Sequence, residues 1–271
     1  MVTRCHGQVL VIAGSDSGGG AGIQADIKAI TALGGYAMTA VTALTAQNTL
    51  GVHGVHPVPA AFLREQIRVV MEDLPPQALK TGMLHDGATI ECVAELAEDA
   101  GRGLPLVVDP VMIAQSGARL LEEEAMDAMV GRLLPLTTLL TPNLPEAEAL
   151  LGRTLHGADD MADAALELRS MGPDAVLLKG GHLPGDHLVD VLAHADGVEQ
   201  FHHARIDTRH THGTGCTLAS AIATGVAQGR SMGDAVKRAR DYLLEAIRSA
   251  PGFGGGGGPV NHCHTVQLPP G

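Results

Sequence analysis

The sequence predicts an α/β protein, with a mostly parallel central sheet, helices on both faces and a small antiparallel hairpin at one edge. Three observations carry this. Strand-like and helix-like segments alternate along the chain, the pattern of parallel strands joined by crossover helices. The 271 residues are 45% apolar, enough material for one large core. Asp196-Gly197 stands between two short β-like runs, a tight-turn signal that adds an antiparallel pair.

The elements follow in order. Residues 8–13 are a buried-strand run stopped by Gly14. Residues 21–33 carry Ile23, Ile27, Ile30 and Leu33 at helical spacing, and Gly34-Gly35 ends them. Residues 36–44 are β-branched and apolar. Residues 60–74 are amphipathic, with Phe62, Ile67, Val70 and Met71 on one side and Pro75-Pro76 as a stop. A short strand is expected at 78–83, a helix at 89–100, a strand at 106–109 broken by Pro110, and a helix at 122–134. Strand 138–141 and helix 144–151 come next. The second half gives helix 161–171, strand 175–179, the hairpin, and helices 216–228 and 232–249. No internal repeat or linker interrupts residues 1–250, which read as a single domain. Residues 251–271 read as a flexible glycine-rich C-terminal segment: a disordered tail, or a mobile flap over a site.

Composition excludes several partners. With 30 acidic and 18 basic residues the formal charge is −12, which disfavours nucleic acid and anionic membranes. No Trp, two Tyr and three Phe leave few base-stacking platforms. The first apolar run is too short for a secretory or membrane segment, so a cytoplasmic chain with four reduced cysteines is expected. His262-Cys263-His264 and His202-His203 hint at metal, but adjacent residues rarely converge on one ion.

The most informative segment is His210-Thr211-His212-Gly213-Thr214-Gly215-Cys216-Thr217, which runs into the apolar helical pattern Leu218, Ala219, Ala221, Ile222 and Val226. Glycines let backbone N–H groups turn inward, and a helix N-terminus adds partial positive charge. That makes a site for phosphate or a developing oxyanion, with a thiol whose pKa should fall. The other local reading is a plain glycine turn with Cys216 as a small buried hydrophobe. A second loop, Gly14-Ser15-Asp16-Ser17-Gly18-Gly19-Gly20-Ala21-Gly22, contains a G-x-G-x-x-A match. The next strand ends in Thr45-Ala46-Gln47-Asn48 without the acid that a dinucleotide ribose needs, so NAD is disfavoured. No Walker-type P-loop occurs.

Candidate site residues gather at predicted strand ends, where open α/β sheets bind ligands: Gly14-Ser15-Asp16, Gln47, Met83, Asp109, Asn143 with Glu146, and Lys179. Asp109 is a lone carboxylate in an apolar run, either a turn residue or an anchor for Mg²⁺. Asn143 and Glu146 fit a capping box, and the same placement suits hydrated Mg²⁺ and phosphate. Lys179 ends an apolar strand and reaches the ligand crevice.

These parts resemble the bacterial hydroxymethylpyrimidine/phosphomethylpyrimidine kinases of thiamine synthesis, in the ribokinase-like superfamily. The resemblance rests on Thr211-His212-Gly213-Thr214-Gly215-Cys216, Thr141-Pro142-Asn143-Leu144-Pro145-Glu146-Ala147, Lys179-Gly180-Gly181-His182, and Ala13-Gly14-Ser15-Asp16 with Gly19-Gly20-Ala21-Gly22-Ile23-Gln24-Ala25-Asp26. It covers nearly the whole chain, down to Gly258-Pro259-Val260. Asn261 stands where close relatives often carry a histidine. The resemblance implies a three-layer α/β/α ribokinase-like sandwich, commonly a homodimer, that uses ATP and Mg²⁺ to phosphorylate 4-amino-5-hydroxymethyl-2-methylpyrimidine and then its monophosphate. It implies these roles: Cys216, Gly213, Gly215 and Lys179 in catalysis; Lys179, Asn143, Thr214 and Gly213 toward the nucleotide phosphates; Asp109 and Glu146 toward metal. Gln47, Asp26, Gly14, Ala21, Met83 and Val111 would line the pyrimidine. The Gln47 amide, one donor beside one acceptor, complements a ring nitrogen beside an amine. A pyridoxal kinase of the same branch, a non-catalytic nucleotide-binding module and a thiol hydrolase are the alternatives.

Overall fold

Strand β1 (Gln8–Asp16) is apolar on both sides because both sides are covered. Val9, Val11 and Ala13 pack on one face with side chains of helices α1 (Gly22–Ala32), α7 (Thr214–Ala227) and α8 (Met232–Arg248). Leu10 and Ile12 point the other way, toward Leu63 of α2 (Ala60–Asp73), Ile90 of α3 (Gly87–Glu98), Ala147 of α5 (Leu144–Leu151) and Leu168 of α6 (Met161–Ser170). The period-2 alternation of one strand thus feeds two apolar layers. The molecule, a computed structural model that describes residues 5–114 and 117–266, is a three-layer α/β/α sandwich.

The sheet has nine strands in the order β3-β2-β1-β4-β5-β6-β7-β8-β9. Strands β2 (Tyr36–Asn48), β1, β4 (Ala78–Thr81), β5 (Leu106–Val108), β6 (Leu139–Leu140) and β7 (Ala175–Leu178) are parallel. The expected hairpin is β8 (His187–His194) and β9 (Gly197–Ala204), antiparallel at one edge. The other edge is antiparallel too: β3 (Gly51–Pro57) folds back on β2. Its sequence, Gly-Val-His-Gly-Val-His-Pro, has too few apolar residues to read as a strand. The chain leaves β1 toward β2 and later returns to its other flank as β4. The carboxyl end of β1 is therefore the topological switch point where ligands bind.

Most helices lie within two residues of their expected bounds, and α5 matches them. The helix expected over 122–134 is corrected. It is a chain of short turns: Glu123–Ala125 as 3₁₀, α4 (Met126–Ala128), Met129–Leu133 as π-helix and Leu134–Leu136 as 3₁₀. Gly131 and Pro135 lie within it, and both weaken the α-helical ladder.

The glycine-rich stretch lies along the body. Gly256 N–H points to Thr49 Oγ1 at 3.4 Å, and Gly258 carbonyl accepts from His212 N–H at 3.1 Å. Asn261 N–H bonds Ala246 carbonyl at 2.9 Å, and a 3₁₀ turn, His262–Thr265, follows. The rest of the expected tail, residues 267–271, lies outside the described residues. No helix among the described residues is long and apolar enough to cross a membrane.

Candidate active site

The site is built from two glycine loops and the ends of six strands, β1, β2, β4, β5, β6 and β7. Gly213 caps α7 in the left-handed region, φ +83°. A Cβ there would stand 1.9 Å from the carbonyl oxygen of Gly20, so only glycine lets the two loops touch. The first N–H groups of α7 have no partner inside the helix, as at any helix N-terminus. Thr214 N–H bends back to Thr211 carbonyl at 3.3 Å, which leaves Gly215 and Cys216 to present theirs.

Asp109 and Lys179 meet at this helix end. A Cβ on Gly215 would lie 3.3 Å from Asp109 Oδ2 and 3.4 Å from Lys179 Nζ. The Lys179 ammonium donates to Asp109 Oδ1 at 3.0 Å, and Thr141 Oγ1 lies 3.3 Å from the same oxygen. Burial works against the Lys179 charge, but Asp109 and Glu146 outweigh it and hold the ammonium above its ordinary range. Asn143 and Glu146 form the capping box expected of them: Asn143 Oδ1 accepts Glu146 N–H at 2.9 Å, and Glu146 Oε2 accepts Asn143 N–H at 2.8 Å. Burial first, then the charge of Asp109, push the Glu146 carboxyl up to about 7, with Lys179 opposing.

The donor set fits Mg²⁺. Asp109 and Glu146 are buried carboxylates that raise each other's energy, and Mg²⁺ takes one or two carboxylates while keeping waters and substrate phosphates. Among the described residues no group of three or more His, Cys, Asp or Glu gathers as a metal cluster.

The expectation of an acidic thiol is corrected. Cys216 keeps part of its surface open, yet burial pushes its thiol up to about 12. The charge of Lys80 and the Gly22 N–H pull it down less strongly.

The substrate-side residues divide. Gly14, Met83 and Val111 come together: a Cβ on Gly14 would meet Met83 Sδ at 3.0 Å, and Met83 packs in a small cluster with Ala43, Leu120 and Val111. Gln47, at the end of β2, faces the loop histidine His212 at 3.4 Å. Ala21 turns its N–H inward, to Asp16 Oδ2 at 2.8 Å. Asp26 does not reach the ligand surface. It is fully buried, accepts from Lys80 Nζ at 2.8 Å and Ser220 Oγ at 2.7 Å, and lies beneath the site. Asp26 and its neighbours hold the Lys80 ammonium above its ordinary range despite burial.

Sequence reasoning misses Lys80, and it names Asp16 and His212 only within their loops, without a role. Lys80 is a lone charge in an apolar strand, a signal as strong as that of Asp109. Asp16 ends β1 and fills its carboxylate with N–H groups of Gly18 at 2.8 Å, Gly20 at 3.0 Å and Ala21. His212 Nε2 meets Asp16 Oδ2 at 2.9 Å, a contact between residues far apart in the chain that no local pattern announces.

The family model described as phosphomethylpyrimidine kinase matches residues 16–261. A hydroxymethylpyrimidine/phosphomethylpyrimidine kinase of Bacillus subtilis is 49% identical over 94% of this chain and 94% of its own. A thiamine biosynthesis bifunctional protein of Geobacter sulfurreducens is also 49% identical; 97% of this chain matches, but only 53% of that longer protein. Among solved structures, a phosphomethylpyrimidine kinase of Clostridium difficile superposes with TM-score 0.79 at 42% identity, covering 89% of this chain and 99% of that one. A Staphylococcus aureus pyridoxal kinase, solved with AMP-PCP and pyridoxal, gives TM-score 0.88 at 33% identity, covering 97% and 96%.

Proposed function

The chain belongs to the phosphomethylpyrimidine kinase family, and from that premise we propose that it is an ATP-dependent kinase of thiamine biosynthesis. It transfers the γ-phosphoryl of ATP to the hydroxymethyl group of 4-amino-5-hydroxymethyl-2-methylpyrimidine, and then phosphorylates the monophosphate to the diphosphate. The observation that carries this is the meeting of Lys179, Asp109 and Gly215 at the N-terminus of α7, beside a buried carboxylate pair.

Phosphoryl transfer asks mainly for positioning and charge stabilisation. The N–H groups of Gly213, Gly215 and Cys216 hold the transferring phosphoryl, with Thr214 shaping the turn. Lys179 contacts the ATP phosphates. Asp109 and Glu146 hold Mg²⁺ through oxygen atoms or water, and Asn143, whose amide nitrogen is not used by its cap, orients that shell. Mg²⁺ when bound supplies charge neutralisation on the phosphate oxygens. Cys216 sits beside the attacking hydroxyl as a neutral, positioned thiol rather than a resting thiolate. Gln47 reads the amine and ring nitrogen of the pyrimidine; Gly14, Met83 and Val111 take its apolar face, and Ala21 closes the loop beside it.

Residues 1–250 act as one kinase domain followed by the glycine-rich C-terminal segment 251–271, of which Gly256 and Gly258 lie against Thr49 and His212. Exposed Leu44, Leu50 and Phe62, on and next to the β2–β3 edge, support a homodimer contact there. Four unpaired cysteines suit a cytoplasmic setting.

The test is incubation of the protein with Mg-ATP and the hydroxymethylpyrimidine, in parallel with pyridoxal, followed by product masses. Mono- and diphosphate of the pyrimidine are expected. Pyridoxal turnover at equal or higher efficiency would make the protein a pyridoxal kinase, the reading that the Staphylococcus aureus structure favours. Turnover of neither would overturn kinase activity on both ring types.

A further inference from the structure

The Gln47 amide has two polar neighbours, and elementary donor and acceptor rules decide how it is turned. Its Nε2 lies 3.4 Å from His212 Nε2, and its Oε1 lies 3.2 Å from Thr45 Oγ1.

The His212 side comes first. His212 Nε2 is 2.9 Å from Asp16 Oδ2. That carboxylate already accepts N–H groups from Gly18, Gly20 and Ala21. Burial pushes the Asp16 carboxyl up, but His212 and these N–H groups outweigh it and keep it below its usual range. An ionised carboxylate only accepts, so His212 Nε2 carries a proton and donates. It then has no lone pair for an amide N–H.

The Thr45 side is independent and agrees. Thr45 Oγ1 is 2.9 Å from the carbonyl oxygen of Ser15, which only accepts. The single hydroxyl proton of Thr45 goes there. Toward Gln47 the oxygen then only accepts, and it needs an N–H.

A half-turn of the amide meets both demands. Oxygen and nitrogen of a glutamine amide exchange places on such a turn, and the hydrogen-bond network chooses between the two. We propose that Thr45, which needs an N–H, and His212, whose protonated Nε2 excludes one, set the Gln47 amide with its oxygen on the His212 side and its NH₂ on the Thr45 side, and so make these two residues the specificity-positioning pair of the substrate site.

The consequence rests on the function proposed above. His212 adjoins Gly213, the loop where the hydroxymethyl group reacts. The amide acceptor therefore lies nearer the reacting end and the donor farther from it. In the aminopyrimidine, the exocyclic amine neighbours the hydroxymethyl carbon, and the ring nitrogen lies one atom beyond. The fixed amide matches that order. The 4-oxo analogue, in its ring-N–H form, presents the reverse order, which a free amide would accommodate by turning over.

Two measurements test this. In isotope-labelled free protein, nuclear Overhauser contacts from the Gln47 side-chain NH₂ to Thr45 are expected; contacts to the His212 ring instead would overturn the orientation. In kinetics, the ratio of kcat/KM for the amino over the 4-oxo substrate should fall about five- to tenfold in Thr45→Val, the worth of about one hydrogen bond, and should also fall in His212→Leu, which no longer excludes an amide N–H from that side. His212→Gln, which keeps a donor, should restore most of it. Unchanged ratios in Thr45→Val and His212→Leu would remove the specificity role. If the wild-type protein phosphorylates no pyrimidine, the kinase reading fails, and the spectra still decide the orientation.

Discussion

Burial pushes the Cys216 thiol up to about 12, which favours its protonated form at neutral pH. The local sequence points the other way, since a glycine loop at a helix N-terminus ordinarily acidifies a cysteine. Packing decides: burial around Cys216 exceeds the pull of Lys80 and of the Gly22 N–H. Two outcomes follow. At pH 8, iodoacetamide should label exposed Cys5 and Cys263 well before Cys216, as read by peptide mass mapping. Cys216→Ser should lower kcat by less than about tenfold, whereas loss of a general base costs about 10²- to 10⁴-fold. Early labelling of Cys216, or the larger loss, would return the base role to it.

At the scale of elements, His262 joins the Asn261 N–H in pinning the terminal turn to α8. His262 is buried, its Nδ1 sits 2.9 Å from Tyr242 Oη, and its Nε2 has no hydrogen-bond partner among the described residues. Burial first, then Lys28 and His264, lower its pKa to about 4. The unfolded chain therefore takes the proton more readily than the folded one. Its contribution is fully present above about pH 6.5 and is lost as pH falls through 4, on the order of 3 kcal/mol in all. Urea unfolding at a series of pH values should show this slope, and His262→Phe should flatten it. The elements themselves were largely legible. Helical spacing and glycine or proline stops give α1, α2 and α5 nearly to the residue, because those helices bury one clear stripe. β3 was not legible, since an exposed edge strand needs no apolar alternation. The site was legible where a residue type is out of place locally, as at Asp109, Lys179 and Gln47. Asp26 misled because it is polar near a glycine loop, yet its partner is Lys80 in a distant strand.

For the whole molecule, that Lys80–Asp26 pair ties sheet to helices. Lys80 lies in β4, Asp26 in α1 and the donor Ser220 in α7, all without exposed surface. Removing one partner strands a buried charge, so Lys80→Met should cost about 3–5 kcal/mol in global unfolding. Lys80→Met with Asp26→Leu should recover much of that loss; a double variant no better than the single one would argue against the stranded charge. The contact between the two glycine loops carries a different lesson. Gly20 and Gly213 offer no side-chain functional group, yet a methyl at 213 would fall on the carbonyl of 20. To a drifting gene these distant codons are one constraint. A saturation library would score both as intolerant, and a chemist reading only side-chain chemistry would find nothing there to explain it.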